Sequence, residues 1–295
     1  MTSAAHSPSL PVDPGISATA MPARRLPRRT AVLASALLAL GLLVVIAVFA
    51  QVLSDEGLRT HLDERLWPPS ADHWFGTDAL GRDLFARTVK GLAVSMKVGL
   101  ASATLAALLS VMLGVLAALH RRLDALVGLL IDLVMALPHL VLLILLSFAF
   151  GGGTRGVIIA VVLSHWPSLA RVVRAEVKQA LASDYVTVAR LLGERPLAVA
   201  RRHLLPHVLP QTLVGAVLLF PHAILHEAGL TFLGFGLEPH LPAIGVLLAE
   251  AMRTLSAGHW WLGLWPGLSL LAMVLSFERV GAGLRLLTDP HRAQE

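Results

Sequence analysis

The sequence predicts an all-α, polytopic membrane protein with six transmembrane helices and a long cytoplasmic loop. Three observations carry that expectation. Hydrophobic residues make up 56% of the 295 positions and charged residues only 15%, where an ordinary soluble domain carries about 25% charged residues. Mean hydropathy is +0.72. The apolar residues gather into six runs, most of them long enough to cross a bilayer. This composition excludes a disordered chain, a collagen-like repeat and a disulfide-rich secreted module. The chain holds no cysteine, which removes Cys-ligated zinc, iron–sulfur clusters and thiol nucleophiles. The net charge of +5 reads as basic loops facing anionic lipid, not as a nucleic-acid surface.

Taken in order, residues 1–29 are rich in Pro, Ser and Ala, with Arg24, Arg25, Arg28 and Arg29 near their end. They read as a disordered, basic cytoplasmic tail. The run 31–53 has only Ser35 and Gln51 as polar residues. At about 1.5 Å per residue it reaches roughly 34 Å, enough for a hydrocarbon core of about 30 Å. A secretory signal would have a shorter apolar region, so this run is the first membrane helix. With the external segment 54–92 it forms a unit over 30–92. The rest, 93–295, is a core of five further spans at about 93–119, 124–150, 156–173, 208–235 and 262–284. Lys97 interrupts the second span where a lysine can snorkel. Asp124 and Asp132 open the third, and the short fourth contains Trp166 and Pro167. The fifth is broken by Pro221 and carries His222, His226 and Glu227, so one of its faces must be buried in protein or wet. The sixth ends near Glu278 and Arg279.

Orientation follows from the basic residues. With the N-terminus inside, sixteen Lys and Arg fall on the cytoplasmic side and seven outside. That split predicts both termini in the cytoplasm. It places the segment 171–207 inside, far longer than a bundle turn requires.

Within that segment, residues 184–206 read DYVTVARLLGERPLAVARRHLLP. Val186, Ala189 and Leu192 have helical spacing; Gly193 and Pro196 punctuate; a second short helix follows until Pro206. Arg190, Arg195, Arg201 and Arg202 surround the pair. Such an element either lies on anionic lipid or docks into the groove of a soluble partner. It resembles the EAA loop of ABC importer permeases, with Ala189, Gly193, Leu205 and Pro206 at the pattern's positions. Thr187, Val188 and His203 depart from the pattern.

The run 73–83, HWFGTDALGRD, is similar to the signature of the dipeptide, oligopeptide and nickel permeases, through Phe75, Gly76, Thr77, Asp78, Gly81, Arg82 and Asp83. The run 227–236, EAGLTFLGFG, is similar to a second segment of that family. Over about 30–290 the chain resembles its C-type subunit. The resemblance implies half of a translocation pathway in a bacterial inner membrane, completed by a second, B-type permease. It also implies two ATPase subunits carrying ATP and Mg, a periplasmic or extracellular substrate-binding protein, alternating access, and coupling through 184–206.

The chain has no G-x-x-x-x-G-K-[ST] loop, and Gly151-Gly152-Gly153 reads as a turn. ATP is therefore expected on the partner subunits, with no cofactor on this chain. An intramembrane zinc hydrolase would need H-E-x-x-H, and here the order is His222-x-x-x-His226-Glu227. The two imidazoles share a helix face. They serve either as hydrogen bonds between helices or, with Glu227, as part of the cargo path. Glu227 should be paired, hydrated or protonated, with Arg82 and Arg253 as candidate partners. Ser164-His165-Trp166 is similar to a run in the nickel-type permeases and equally suits an interfacial anchor. Thirteen histidines, three of them at membrane depth, point to nickel or a metal chelate (metallophore) as cargo. Dipeptides and oligopeptides are the alternative, and an ATP-independent channel is the competing class.

Overall fold

The computed structural model describes residues 28–288, and most of the reading of residues 1–29 as a tail lies outside them. The first helix, α1 (Arg28–Val52), begins inside that expected tail, at Arg28. Its apolar side chains are mostly exposed, Leu37, Leu38, Val45 and Val48 among them. It buries little beyond Ala39 and Leu43, as a helix does when lipid replaces protein on most of its surface.

α2 (Leu84–Leu119) starts nine residues before the expected span. Arg87 and Lys90 made those turns look like loop. In the fold Arg87 is buried in an ion-pair cluster, and Lys90 pairs with Asp55. Asp83 caps the new N-terminus, accepting from the Ala86 amide at 2.8 Å. The third expected span is not one helix. α3 (Arg121–Ala136) and α4 (His139–Ala149) meet at 104°. Pro138 lacks an amide donor and keeps Leu137 in extended geometry, φ −86° and ψ 143°.

α5 (Gly153–Leu181) is eleven residues longer than the expected fourth span. Its polar last turns are held by Asp124, which accepts from Arg174 and, at 2.9 Å, from Lys178. After α6 (Asp184–Leu191) comes α7 (Pro196–Val199), which passes through a π turn, Ala200–Leu204, into α8 (Leu205–Phe232). Pro206 therefore does not end the second short helix. It sits in the first turn of α8, where the widened π turn makes room for its ring. α9 (Ile244–Met252) is a short half-buried helix in a stretch expected to be loop. α10 (Trp261–Thr288) is the last.

Among the described residues there is no strand, only one bridge between Thr77 and Asp83. Among the described residues, four helices are long and apolar enough to cross a membrane, or five if the bent α3–α4 pair is one span. α10, with 28 residues, has the length of a sixth. α2, α5 and α8 form the centre, and α10 packs on α8 and along α1. The chain direction puts 53–83, 150–153 and 233–260 at one end, the cap. Residues 120 and 182–204 lie at the other end, the elbow.

Candidate functional site

At the cap, the signature residues make one polar knot. Asp78 is 3% exposed. Its Oδ1 accepts from the amides of Leu80 and Arg82 at 2.8 and 3.0 Å. Its Oδ2 accepts from Arg82 Nε at 2.7 Å and from Arg87 Nη1 at 2.5 Å. Arg87, also 3% exposed, reaches Glu250 on α9 through both terminal nitrogens, at 2.6 and 3.2 Å. Asp83 accepts from His73 Nδ1 at 2.9 Å while capping α2. Thr77 donates to the Glu64 carbonyl and accepts from the Trp67 amide at 2.8 Å. Phe75 stacks on Trp265 of α10 at 4.9 Å.

Gly81 has φ +74°, and a Cβ there would lie 1.7 Å from the His61 carbonyl oxygen. Gly76, at φ +78°, meets the Trp67 carbonyl in the same way. The seven signature residues thus tie the cap loop to α2, α9 and α10. Arg87 and Glu250 complete the cluster, and sequence reasoning missed both. Arg87, inside the α2 N-terminus just after the signature, was the available signal. A cavity of about 310 Å³ opens beside the knot between Arg82, Glu250 and Arg253. Nearby, Thr154 donates its hydroxyl to Glu238 at 2.7 Å, joined by its amide at 3.2 Å. Those bonds, the hydroxyl's above all, hold the Glu238 carboxyl below its ordinary range.

In the interior the expected cargo trio separates. His222 is exposed, His226 half-buried and Glu227 completely buried. Adjacent helical positions point about 100° apart, so Glu227 faces α2 while the histidines face α4 and α5. Glu227 Oε1 accepts from the Thr231 hydroxyl at 3.0 Å. Ser95 Oγ approaches from α2 outside hydrogen-bond geometry. Glu227 forms no ion pair among the described residues, and Arg82 is engaged with Asp78 and Glu250. Glu227 is buried in protein, as a carboxylate inside a span requires, with a hydroxyl as partner in place of a cation. His226 instead meets His139 and His165, with ring centroids 4.5 and 5.0 Å away. His139 was not singled out from sequence; its place directly after the Pro138 break was the signal.

At the elbow, α6 ends in a Schellman motif. The Gly193 amide donates to the Arg190 carbonyl at 3.0 Å, and the Glu194 amide to Ala189 at 3.1 Å, with Gly193 at φ +83°. Ala189 and Val186 pack inward. Leu205 and Pro206 sit exposed at the root of α8. The tip presents Leu191 and Leu192, 82% and 80% exposed, which the family pattern did not mark. An apolar pair directly before the helix-ending glycine was the clue.

Residues 110–290 match the family of binding-protein-dependent transport system inner membrane components. The chain belongs to that family. It is a permease component of a binding-protein-dependent ABC importer, a multi-pass inner membrane protein. Among its relatives, a candidate peptide transport system permease of Brucella suis biovar 1 is 38% identical over 94% of both chains. The dipeptide transport system permease protein DppC of Bacillus subtilis is 34% identical over 94% of this chain and 87% of its own. A crystal structure of an amino acid ABC transporter with histidines superposes with a TM-score of 0.55 at 17% identity, covering 72% of this chain and 95% of that one. That likeness is one of fold.

Proposed function

We propose that this permease carries peptides, and that its elbow docks on the ATPase subunits that drive it. The observation that carries the docking is the elbow tip: two leucines more than three-quarters exposed, held on a glycine-capped turn and rimmed by Arg190, Arg195 and Arg202. Apolar anchors inside a charged rim are what a helix-in-groove contact uses. ATP and Mg belong to those partners. A B-type permease forms the other half of the pathway, and a substrate-binding protein delivers cargo to the cap. Both termini lie in the cytoplasm, on the basic-residue split.

Peptide cargo is supported by the relatives, whose names point to peptide and dipeptide transport. They favour it over the nickel or metallophore reading drawn from histidine content.

The test is uptake in cells carrying the operon, with labelled dipeptide and labelled nickel supplied separately. The expected result is ATP-dependent dipeptide accumulation. Nickel accumulation without dipeptide uptake would return the cargo to metal, and flux without ATP would make the chain a channel. In the same cells an impermeant thiol probe should label Ala71→Cys and spare Ala198→Cys; the reverse pattern would invert the orientation.

A further inference from the structure

We propose that His139, His165 and His226 form a binding site for one borderline divalent cation of the Zn²⁺ or Ni²⁺ class, held as a clamp between α4, α5 and α8. One ring nitrogen from each lies within 4.8 Å of the other two, and the His139 and His165 rings are 4.8 Å apart. The three residues come from separate helices. His139 stands at the first position of α4 only because Pro138 breaks the span there.

The hydrogen bonds orient these rings as ligands. His165 Nδ1 lies 2.9 Å from the Val161 carbonyl oxygen. That oxygen can only accept, so Nδ1 carries the proton and Nε2 keeps its lone pair. A backbone carbonyl behind a histidine is the usual device for fixing a metal-binding tautomer. Ser164 Oγ, 2.9 Å from the same nitrogen, adds a second outer contact. His139 Nε2 is buried and has no hydrogen-bond partner among the described residues. A buried ring nitrogen without a partner calls for a ligand to satisfy it.

The donor set selects the ion. Glu227 is turned away, so no carboxylate enters the cluster. Three imidazoles disfavour Mg²⁺ and Ca²⁺, which take oxygen ligands, and suit Zn²⁺, Ni²⁺ or Co²⁺. Tetrahedral Zn–N bonds of about 2.0–2.1 Å place the nitrogens about 3.3 Å apart, so small rotations of the rings close the site. Three protein ligands leave a fourth position. His222 lies one turn before His226 on the same face and borders it. An ion there would tie the second half of the bent span to two continuous helices. It would therefore be resident, whatever the permease carries.

The experiment uses the full chain, stripped with chelator and placed in lipid nanodiscs, with Zn²⁺ alone and Co²⁺ alone as probes. The expected result is about one Zn²⁺ retained per chain after dialysis and a thermal midpoint that rises with Zn²⁺ concentration. Co²⁺ should give visible d–d absorption of a four-coordinate nitrogen site. His139→Ala, His165→Ala and His226→Ala should each weaken Zn²⁺ binding by roughly tenfold or more, while His222→Ala keeps the stoichiometry. If the alanine variants fail to assemble, the wild-type Co²⁺ spectrum decides, and a purely octahedral aquo-type spectrum overturns the site. Unchanged Zn²⁺ retention in the triple variant overturns it as well. ATP-driven accumulation of Zn²⁺ inside vesicles bearing the whole operon would overturn the resident clamp. The result is separable from the cargo question, because binding is read without transport.

Discussion

At the cap, Asp78 and Arg87 are each 3% exposed, and Arg87 is bonded to Glu250, 163 positions along the chain. At the elbow, Leu191 and Leu192 are 82% and 80% exposed, and the turn beneath them is closed by two backbone hydrogen bonds of short range. Both regions carry family motifs, yet the motifs do different physical jobs. The cap residues spend their polar groups on one another, so they fix a shape. The elbow residues fix only a turn and leave apolar side chains without a partner within the chain. A motif whose side chains are satisfied internally is a structural device, and one that holds apolar groups out is an offer to another protein.

The sharpest way to break that comparison is at Arg87. Arg87→Met removes the cation shared by Asp78 and Glu250 and leaves a buried carboxylate short of a partner. Breaking a buried pair costs about 3–5 kcal/mol, which in a chain of this size lowers the melting midpoint by on the order of 10 °C. Adding Asp78→Asn should recover part of the loss, because the two groups are coupled. Thermal unfolding of detergent-solubilised protein measures both. Additive losses would show that the knot is not a unit.

Changes at the elbow should leave the fold standing and remove function. A Cβ at Gly193 meets nothing within 4 Å, so Gly193→Val brings no clash. It strains the left-handed turn by about 1–2 kcal/mol and re-aims the tip. Leu191→Asp with Leu192→Asp removes the apolar anchors themselves. Dipeptide uptake should fall roughly tenfold or more in the double variant at equal membrane abundance, while the ATPases go on hydrolysing. Unchanged uptake in both variants would remove the elbow as the coupling element.

The same contrast explains what could be read in advance. The apolar runs were legible because a bilayer demands long uninterrupted hydrophobicity, and the elbow was legible because glycine and proline act locally. The true start of α2 was not, since Arg87 looks like a loop residue until Glu250 is brought beside it. The break before His139 was missed because proline is tolerated inside spans, and nothing local distinguishes a tolerated proline from a 104° bend. The separation of Glu227 from His222 and His226 was available in helical geometry alone, since position 227 leaves the shared face by about 100°. The meeting of His226 with His139 and His165 was not, because it joins three helices.

The smallest expected effect lies at the cap's margin, where Glu238 and Thr154 tie the start of α5 to the chain after α8. The Thr154 hydrogen bonds favour the charged carboxylate and lower its pKa from the ordinary 4.5. A group whose pKa is lower in the folded state adds stability above its unfolded value, and that contribution fades as pH falls through the folded value. Glu238 is largely solvated, so the effect is small and weakens further with salt. Thr154→Val removes the 2.7 Å hydroxyl bond and keeps the backbone one. The melting midpoint of this variant should therefore lie slightly below wild type at pH 7. The two curves should converge as pH falls below about 4.5, where the carboxyl becomes protonated in both proteins. A gap that stays constant with pH would mean that the threonine contributes by packing, and would confine the electrostatic ties of the cap to ion pairs such as those of the Asp78 cluster.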